Sequence, residues 1–246
     1  MRIVQLTDLH LPPAGTKTEL GIDTQRNFLD LLPRAVALQP DLLVLSGDLC
    51  YDVGASATYA WVREKMDATE LPYAVIGGNH DDASLLGPAF GLTVQQNEVY
   101  FVQPVGQHTV LFLDTALATV SDAQLDWLET QLTALQGPVL LFMHHPPFHV
   151  GMLFMDLTWP FRRSADLMAV LSRRPAPVYV FCGHYHTERV AHAGNVSVHI
   201  TPSLYFQLDP ELAHPAIEHT RMALRVIDFK ESRLSTFVQY FDGHAL

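Results

Sequence analysis

The chain has 246 residues, of which 48% are hydrophobic and 17% charged. This composition excludes a disordered chain, and the length suits one large core, so we expect a single domain over residues 1–246. The formal net charge of −11 argues against binding to a nucleic-acid polymer, because such binding needs a basic surface.

The first apolar run, at residues 2–6, is soon followed by Asp8, which is typical of a strand rather than a signal peptide. Nowhere does an apolar stretch approach the ~20 residues of a membrane span. Cys50 and Cys182 fit a reducing compartment, and we expect them to be buried apolar residues rather than ligands. The sequence therefore predicts a cytoplasmic protein that does not bind membranes.

Apolar periodicity and capping residues predict the secondary structure. In chain order, the pattern predicts a strand at 3–6, a helix at 23–38 capped by Asp23 or Thr24, a strand at 41–46, a helix at 57–66, a strand at 72–76, paired strands at 99–102 and 109–114, a helix at 122–135 capped by Ser121, a strand at 139–143, a helix at 164–172, a strand at 178–181, and hairpins at 190–200 and 222–240. This order predicts an α/β fold with two mixed sheets packed face to face and helices outside.

Short polar clusters follow five of these apolar runs, where open α/β sheets place their functional sites. They supply carboxylates, an amide and imidazoles, which are ligands for a pair of transition metals. Without a thiolate, this set suits Mn, Fe, Zn or Co better than Mg or Ca. The clusters are Asp8-Leu9-His10, Gly47-Asp48, Gly78-Asn79-His80-Asp81, His144-His145-Pro146 and Gly183-His184-Tyr185-His186.

Each cluster alone has a second interpretation. Asp8 and His10 point to the same side of an extended segment and can share a metal, but a polar turn after a strand has the same pattern. Asp48 can bridge two cations, yet Gly-Asp ends many strands. The proline after His144 and His145 imposes extended backbone, which either fixes a ligand or only ends a strand.

In this order the five clusters resemble the signature of the calcineurin-like metallophosphoesterase family, from Asp8 to at least His186. The resemblance implies a four-layer αββα sandwich with two mixed β-sheets. It also implies a catalytic role for His80, beside the scissile phosphate, where it would stabilise charge or protonate the leaving oxygen. The implied ligands are Asp8, His10, Asp48 and His186 for one metal, and Asp48, Asn79, His144 and His184 for the other.

Further stretches, at 20–24, 78–82, 142–147, 181–184 and 201–203, look like the class III cyclic-nucleotide phosphodiesterases and the glycerophosphodiesterases of the same branch. The implied reaction is hydrolysis of a small phosphodiester, with 3′,5′-cyclic AMP first, by in-line attack of a metal-bridging hydroxide. A glycerophosphodiesterase or a broad phosphomono- and diesterase is the alternative. A non-catalytic metal-binding scaffold is a third, and the intact His80 argues against it.

Substrate contacts are expected from Asp52, His149, Asp156 and Arg163. Asp156 matches an aspartate that close relatives carry in a substrate-facing loop, here residues 155–163. Trp159 departs from that pattern, as do the two arginines that end the loop.

Two further sets of residues near the expected substrate site each have two interpretations. Arg162 or Arg163 could bind a second phosphate or be surface charge, and we favour surface charge. Tyr51, Tyr205 and Phe206 could stack an adenine base or be core residues.

Overall fold

A computed structural model describes residues 1–13 and 16–245. Its helices are α1 (Thr24–Ala37), α2 (Ser56–Asp67), α3 (Ala83–Phe90), α4 (Asp122–Ala134), α5 (Leu153–Thr158) and α6 (Ser164–Leu171). Its strands are β1 (Arg2–Leu6), β2 (Leu42–Ser46), β3 (Tyr73–Ile76), β4 (Phe101–Val105), β5 (His108–Phe112), β6 (Val139–Phe142), β7 (Val178–Cys182), β8 (Arg189–Ala193), β9 (Val196–Ile200), β10 (Gln207–Leu208), β11 (Ile217–His219), β12 (Met222–Lys230) and β13 (Arg233–Phe241).

Two mixed sheets carry most of these strands. The first has the order β13-β12-β1-β2-β3, and the second has the order β4-β5-β6-β7-β9-β8. Strands β1, β2 and β3 are parallel to one another, as are β5, β6, β7 and β9, whereas β4, β8, β12 and β13 pair antiparallel with their neighbours. The parallel strands of each sheet therefore end along one edge.

Apolar side chains form three layers of core. Between the sheets, Ile3, Val44 and Ile76 pack in one cluster with Phe112 and Phe142. Two further clusters lie on the outer faces, one beneath α1 and α2 and the other beneath α4 and α6. The expected four-layer arrangement of helices, sheet, sheet and helices is confirmed.

Stacked rings run across the second sheet on the face toward the first. Phe101, Phe112, Phe142, Phe181 and His199 come from β4, β5, β6, β7 and β9, and the centroids of neighbouring rings are 4.7, 5.3, 5.2 and 5.1 Å apart. Each ring is also the registered strand partner of the next. Because cross-strand pairs fix register, this aromatic ladder holds the ends of β6 and β7 at one level.

Most predicted elements are present with shifts of one or two residues, and Asp23 and Ser121 cap α1 and α4 as expected. Two helices were not predicted. Helix α3 has only eight residues and contains Pro88, so its periodicity is short. Helix α5 has six residues and occupies the start of the segment expected to be a substrate-facing loop.

The described residues include no helix that is both long and apolar enough to cross a membrane.

Candidate metal centre

The side chains predicted to bind metal leave the carboxyl ends of strands in both sheets. Because these strand ends meet at one end of the sandwich, the side chains converge although they are up to 178 positions apart in the chain. They are Asp8 and His10 after β1, Asp48 after β2, Asn79 and His80 after β3, His144 after β6, and His184 and His186 after β7.

Left-handed backbone marks five of these residues. Such conformations are uncommon outside glycine and cluster at functional sites, where surrounding structure holds them. Each lies in the short loop that follows a strand, where the chain turns. The residues and their φ angles are Asp8 (52°), His10 (44°), Asp48 (52°), His184 (66°) and His186 (48°).

One group of donor atoms is formed by Asp8, His10 and His186, all buried. The Nε2 atoms of His10 and His186 are 3.0 Å apart, and Nε2 of His186 is 3.3 Å from Oδ1 of Asp8. Oδ2 of Asp48 lies 3.7 Å from Nε2 of His10. Two imidazoles and one carboxylate thus converge on one place, and the Asp48 carboxylate lies next to them.

A second group is formed by Asp48, His144 and His184, also buried. Nε2 of His144 lies 3.2 Å from Oδ2 of Asp48 and 3.8 Å from Oδ1 of Asp8. Asp48 thus borders both groups. The neighbouring His145 instead lies with Nδ1 3.3 Å from Oγ1 of Thr115.

Backbone carbonyls orient the imidazoles and show that the site fits metal ions. Nδ1 of His144 donates to the Ser46 carbonyl at 2.9 Å, and Nδ1 of His186 donates to the Phe206 carbonyl at 3.1 Å. Their Nε2 atoms consequently face the site with lone pairs. Nε2 of His144 is buried and has no hydrogen-bond partner among the described residues. Imidazole nitrogens and two buried carboxylates that converge without a lysine or arginine partner among the described residues are what a cation requires.

In the absence of metal, electrostatics give the site a mixed charge. Burial alone would raise the pKa values of Asp8 and Asp48, but neighbouring histidines, His186 and His144 respectively, hold both below the usual range. Burial lowers the pKa of His10 to about 3. Burial also acts on His144, yet Asp48 and Asp8 outweigh it and raise its pKa to about 9. The two carboxylates thus favour positive charge at this position.

The glycines in the clusters make room for the ligands. A Cβ atom at Gly47 would lie within 3.0 Å of the His144 ring, and one at Gly183 would lie within 3.0 Å of the Asp8 carboxylate. A Cβ at Gly78 would meet Asp48 equally closely. Each glycine therefore allows one strand end to approach another.

Asp81 joins the ends of β2 and β3, a role that was not predicted from its place in a cluster. Its carboxylate accepts hydrogen bonds from the backbone amides of Leu49, Cys50 and Gly78 at 2.9–3.2 Å, and from the Tyr59 hydroxyl at 3.0 Å. Burial raises its pKa to about 6. The available signal was the pair of carboxylates, Asp81 and Asp82, directly after Asn79-His80.

His80 lies beside the two groups and is half-buried. Its backbone amide donates to Oδ1 of Asp48 at 2.9 Å, and its Nδ1 donates to the Asp52 carbonyl at 3.0 Å. Its ring centroid is 4.9 Å from that of His10. The Asp52 contact leaves Nε2 as the ring nitrogen available to another group.

A cleft of about 600 Å³ opens over the donor groups. Among the described residues that line it, the charged side chains outside the donor groups are Glu19 and Asp52, with no lysine or arginine. The lining residues are His10, Glu19, Asp48, Tyr51, Asp52, Asn79, His80, Met155, Trp159, His184, His186, Tyr205, Phe206 and Leu208.

Of the four expected substrate contacts, the structure brings only Asp52 to the cleft. His149 is exposed outside it. Asp156 is buried, and its carboxylate accepts hydrogen bonds from backbone amides and from Tyr185. Arg163 pairs with acidic residues of α4 and α6. Asp156 and Arg163 are thus bonded within the protein, and neither lines the cleft.

Gly183→Ala should weaken metal binding because the added methyl group displaces the Asp8 carboxylate. We expect the Mn²⁺ affinity, measured by isothermal titration calorimetry, to fall at least about tenfold. Gly194→Ala is the matched control: its φ of 60° makes alanine strained, but its Cβ meets nothing within 4 Å. The control should lose about 1 kcal/mol of stability and no metal affinity. Wild-type Mn²⁺ affinity in Gly183→Ala would contradict the close approach.

Without metal, stability should fall as the pH rises from about 6.5 to 9. The pKa of His144 is raised in the folded chain to about 9, so its protonation stabilises that state fully below the unfolded value near 6.5 and is lost above 9. The free energy of unfolding in urea with chelator should drop by at most about 1.4 kcal/mol per pH unit. His144→Gln should flatten this part of the profile. An equal slope in both proteins would refute the assignment.

Comparisons with known proteins agree with this geometry. Residues 1–188 match the family model described as calcineurin-like phosphoesterase. A Fibrobacter succinogenes protein named probable cyclic nucleotide phosphodiesterase is 32% identical over 242 residues, covering 98% of this chain and 94% of its own. A glycerophosphodiester phosphodiesterase of Enterobacter lignolyticus is 29% identical over 223 residues, covering 85% and 79%.

The fold also has a counterpart among solved structures. A dimetal phosphatase from Danio rerio superposes with a TM-score of 0.71 at 14% identity, covering 99% of this chain and 96% of its own. At that identity the likeness shows the fold alone. The family match over most of the chain goes further: this protein belongs to the calcineurin-like phosphoesterase family.

Proposed function

We propose that this chain is a metal-dependent phosphodiesterase that hydrolyses a small phosphodiester, with 3′,5′-cyclic AMP as the first candidate. The observation that carries the proposal is the position of Asp48, which belongs to one donor group and whose Oδ2 lies 3.7 Å from Nε2 of His10 in the other, within the lining of one cleft. Asp8, His10, Asp48 and His186 would hold one metal ion, and Asp48, Asn79, His144 and His184 the other. The nitrogen and oxygen donors favour Mn, Fe, Zn or Co.

The charge of the cleft favours a diester over a monoester. Glu19 and Asp52 line it, and no lysine or arginine does among the described residues. A phosphate monoester carries close to two negative charges at pH 7, since its second pKa is about 6, whereas a diester carries one. The two donor groups can compensate negative charge at the phosphate, but the described walls of the cleft have no cationic side chain to compensate the second charge of a monoester.

Relatives support the choice of substrate. The Fibrobacter succinogenes relative is named for cyclic nucleotides, which supports 3′,5′-cyclic AMP as the first candidate. The name of the Enterobacter lignolyticus relative supports the second candidate, a glycerophosphodiester. The two free, buried cysteines, Cys50 and Cys182, support a reducing compartment such as the cytoplasm as the site of action.

Metal ions in this centre would supply Lewis acidity and lower the pKa of water. The chain's own contribution to the leaving group is His80. Nδ1 donates to the Asp52 carbonyl, which fixes the ring at the cleft. Nε2 can then carry a proton to the departing alcohol oxygen as a general acid. The backbone amide of His80 holds the Asp48 carboxylate in place at 2.9 Å.

A substrate panel tests the proposal. Mn²⁺-loaded protein should hydrolyse 3′,5′-cyclic AMP faster than glycerophosphoglycerol, and 5′-AMP least, at equal concentration. Asp48→Asn should lower turnover at least about a hundredfold because the amide loses the negative charge and one of the two oxygen atoms that could bind metal. Asp126→Asn, at an exposed position on α4, is the control and should keep full activity. No hydrolysis of either diester by the wild type would reject the proposal, as would full activity in Asp48→Asn.

His80→Gln should slow the reaction without removing metal. We expect kcat for cyclic AMP to fall about a hundredfold, the lower range for general acid catalysis, with Mn²⁺ content unchanged. The loss should be smaller for a p-nitrophenyl diester because its leaving group needs no proton. His149→Gln, exposed and outside the cleft, serves as the matched control. An equal fall in kcat for both diesters would contradict the role of His80 as a general acid.

A further inference from the structure

Trp159 is a large apolar side chain that lines the cleft while remaining 58% exposed. The other two tryptophans pack against aromatic partners: Trp61 lies 5.8 Å from Phe28, and Trp127 lies 5.1 Å from Tyr100, between ring centroids. Among the described residues, Trp159 has no such ring partner. An aromatic face at the mouth of the cleft is therefore open to a ligand.

The backbone before Trp159 is held firmly. The Asp156 carboxylate accepts hydrogen bonds from the amides of Val150, Gly151 and Met152 at 3.1, 2.8 and 2.9 Å. The Tyr185 hydroxyl donates to the same carboxylate at 2.9 Å. This buried aspartate thus closes the turn that begins α5 and joins it to the strand-end loop carrying the metal ligands.

The backbone after Trp159 is held as well. The Arg162 amide donates to the Ala118 carbonyl at 2.9 Å. The Arg163 guanidinium bonds Asp122 at 2.7 Å and Asp166 at 2.6 Å. Anchors on both sides mean that the indole is presented on a fixed backbone, so little conformational freedom would be lost when a ligand binds to it.

Its surroundings indicate the kind of ligand. Glu19 and Asp52 can accept hydrogen bonds from amino or hydroxyl groups, and the lack of a lysine or arginine in the described lining offers nothing to a second phosphate. Indole faces stack on nucleobases through their π-systems. A purine with an exocyclic amino group meets both conditions, whereas a glycerol moiety can use only the carboxylates.

We propose that Trp159 is the stacking platform for the nucleobase and selects cyclic purine nucleotides over glycerophosphodiesters. The inference rests on the proposed phosphodiesterase function and names the part of the chain that determines its substrate class. Asp156, Arg162 and Arg163 act through Trp159, as positioning residues, without touching substrate.

The test compares two diesters and one phosphate-free ligand on the Mn²⁺-loaded enzyme. Trp159→Ala should lower kcat/KM for 3′,5′-cyclic AMP at least about fivefold more than kcat/KM for glycerophosphoglycerol, mainly through KM. The dissociation constant of adenosine, measured by calorimetry, should rise by a similar factor. Trp159→Phe should restore part of both. Leu157→Ala, which alters an exposed residue of α5 that does not line the cleft, should change neither.

Equal losses on the two diesters would overturn the proposal, because they would mean that Trp159 only supports the local structure. Unchanged adenosine affinity in Trp159→Ala would also overturn it. Should the wild type hydrolyse neither diester, the proposed function fails, and adenosine binding then decides the role of Trp159 alone.

Discussion

Two carboxylates taken out of water at the meeting point of two sheets constrain the rest of this structure. Asp8 and Asp48 are buried together, and neither has a lysine or arginine partner among the described residues. Uncompensated buried charge is strongly unfavourable, so imidazoles, backbone amides and, by inference, metal ions gather around them. The strained turns after the strands and the glycines at close approaches are consequences of bringing these groups to one place.

Sheet register makes that gathering possible. Strands β1, β2 and β3 end at one level in the first sheet, and the ladder from Phe101 to His199 aligns the second. For this reason the sequence could predict much of the centre. A polar cluster after an apolar strand is readable, and parallel strands place such clusters along one edge. The fold class followed from the same alternation of strands and helices.

The substrate side could not be predicted in the same way, because its residues act through partners far along the chain. Asp156 looks like a free loop carboxylate until Tyr185 is seen to donate to it, and Arg163 looks free until Asp122, on another helix, is found beside it. Helix α5 is too short for periodicity to show. Asp81 stood within a recognised cluster, yet its task of joining two strand ends depends on Leu49 and Cys50 from the neighbouring loop.

One contact links the candidate metal centre to the backbone, and not the side chain, of Trp159. Nε2 of His184 lies 3.3 Å from the carbonyl oxygen of Trp159, and a carbonyl only accepts, so the ring is oriented by main chain rather than by side chain. Any amino acid at position 159 supplies that oxygen. The indole can therefore be replaced by other side chains in evolution without changing the contact that orients His184. Related proteins that share this metal centre can therefore differ in substrate preference at position 159 while the reaction they catalyse stays the same.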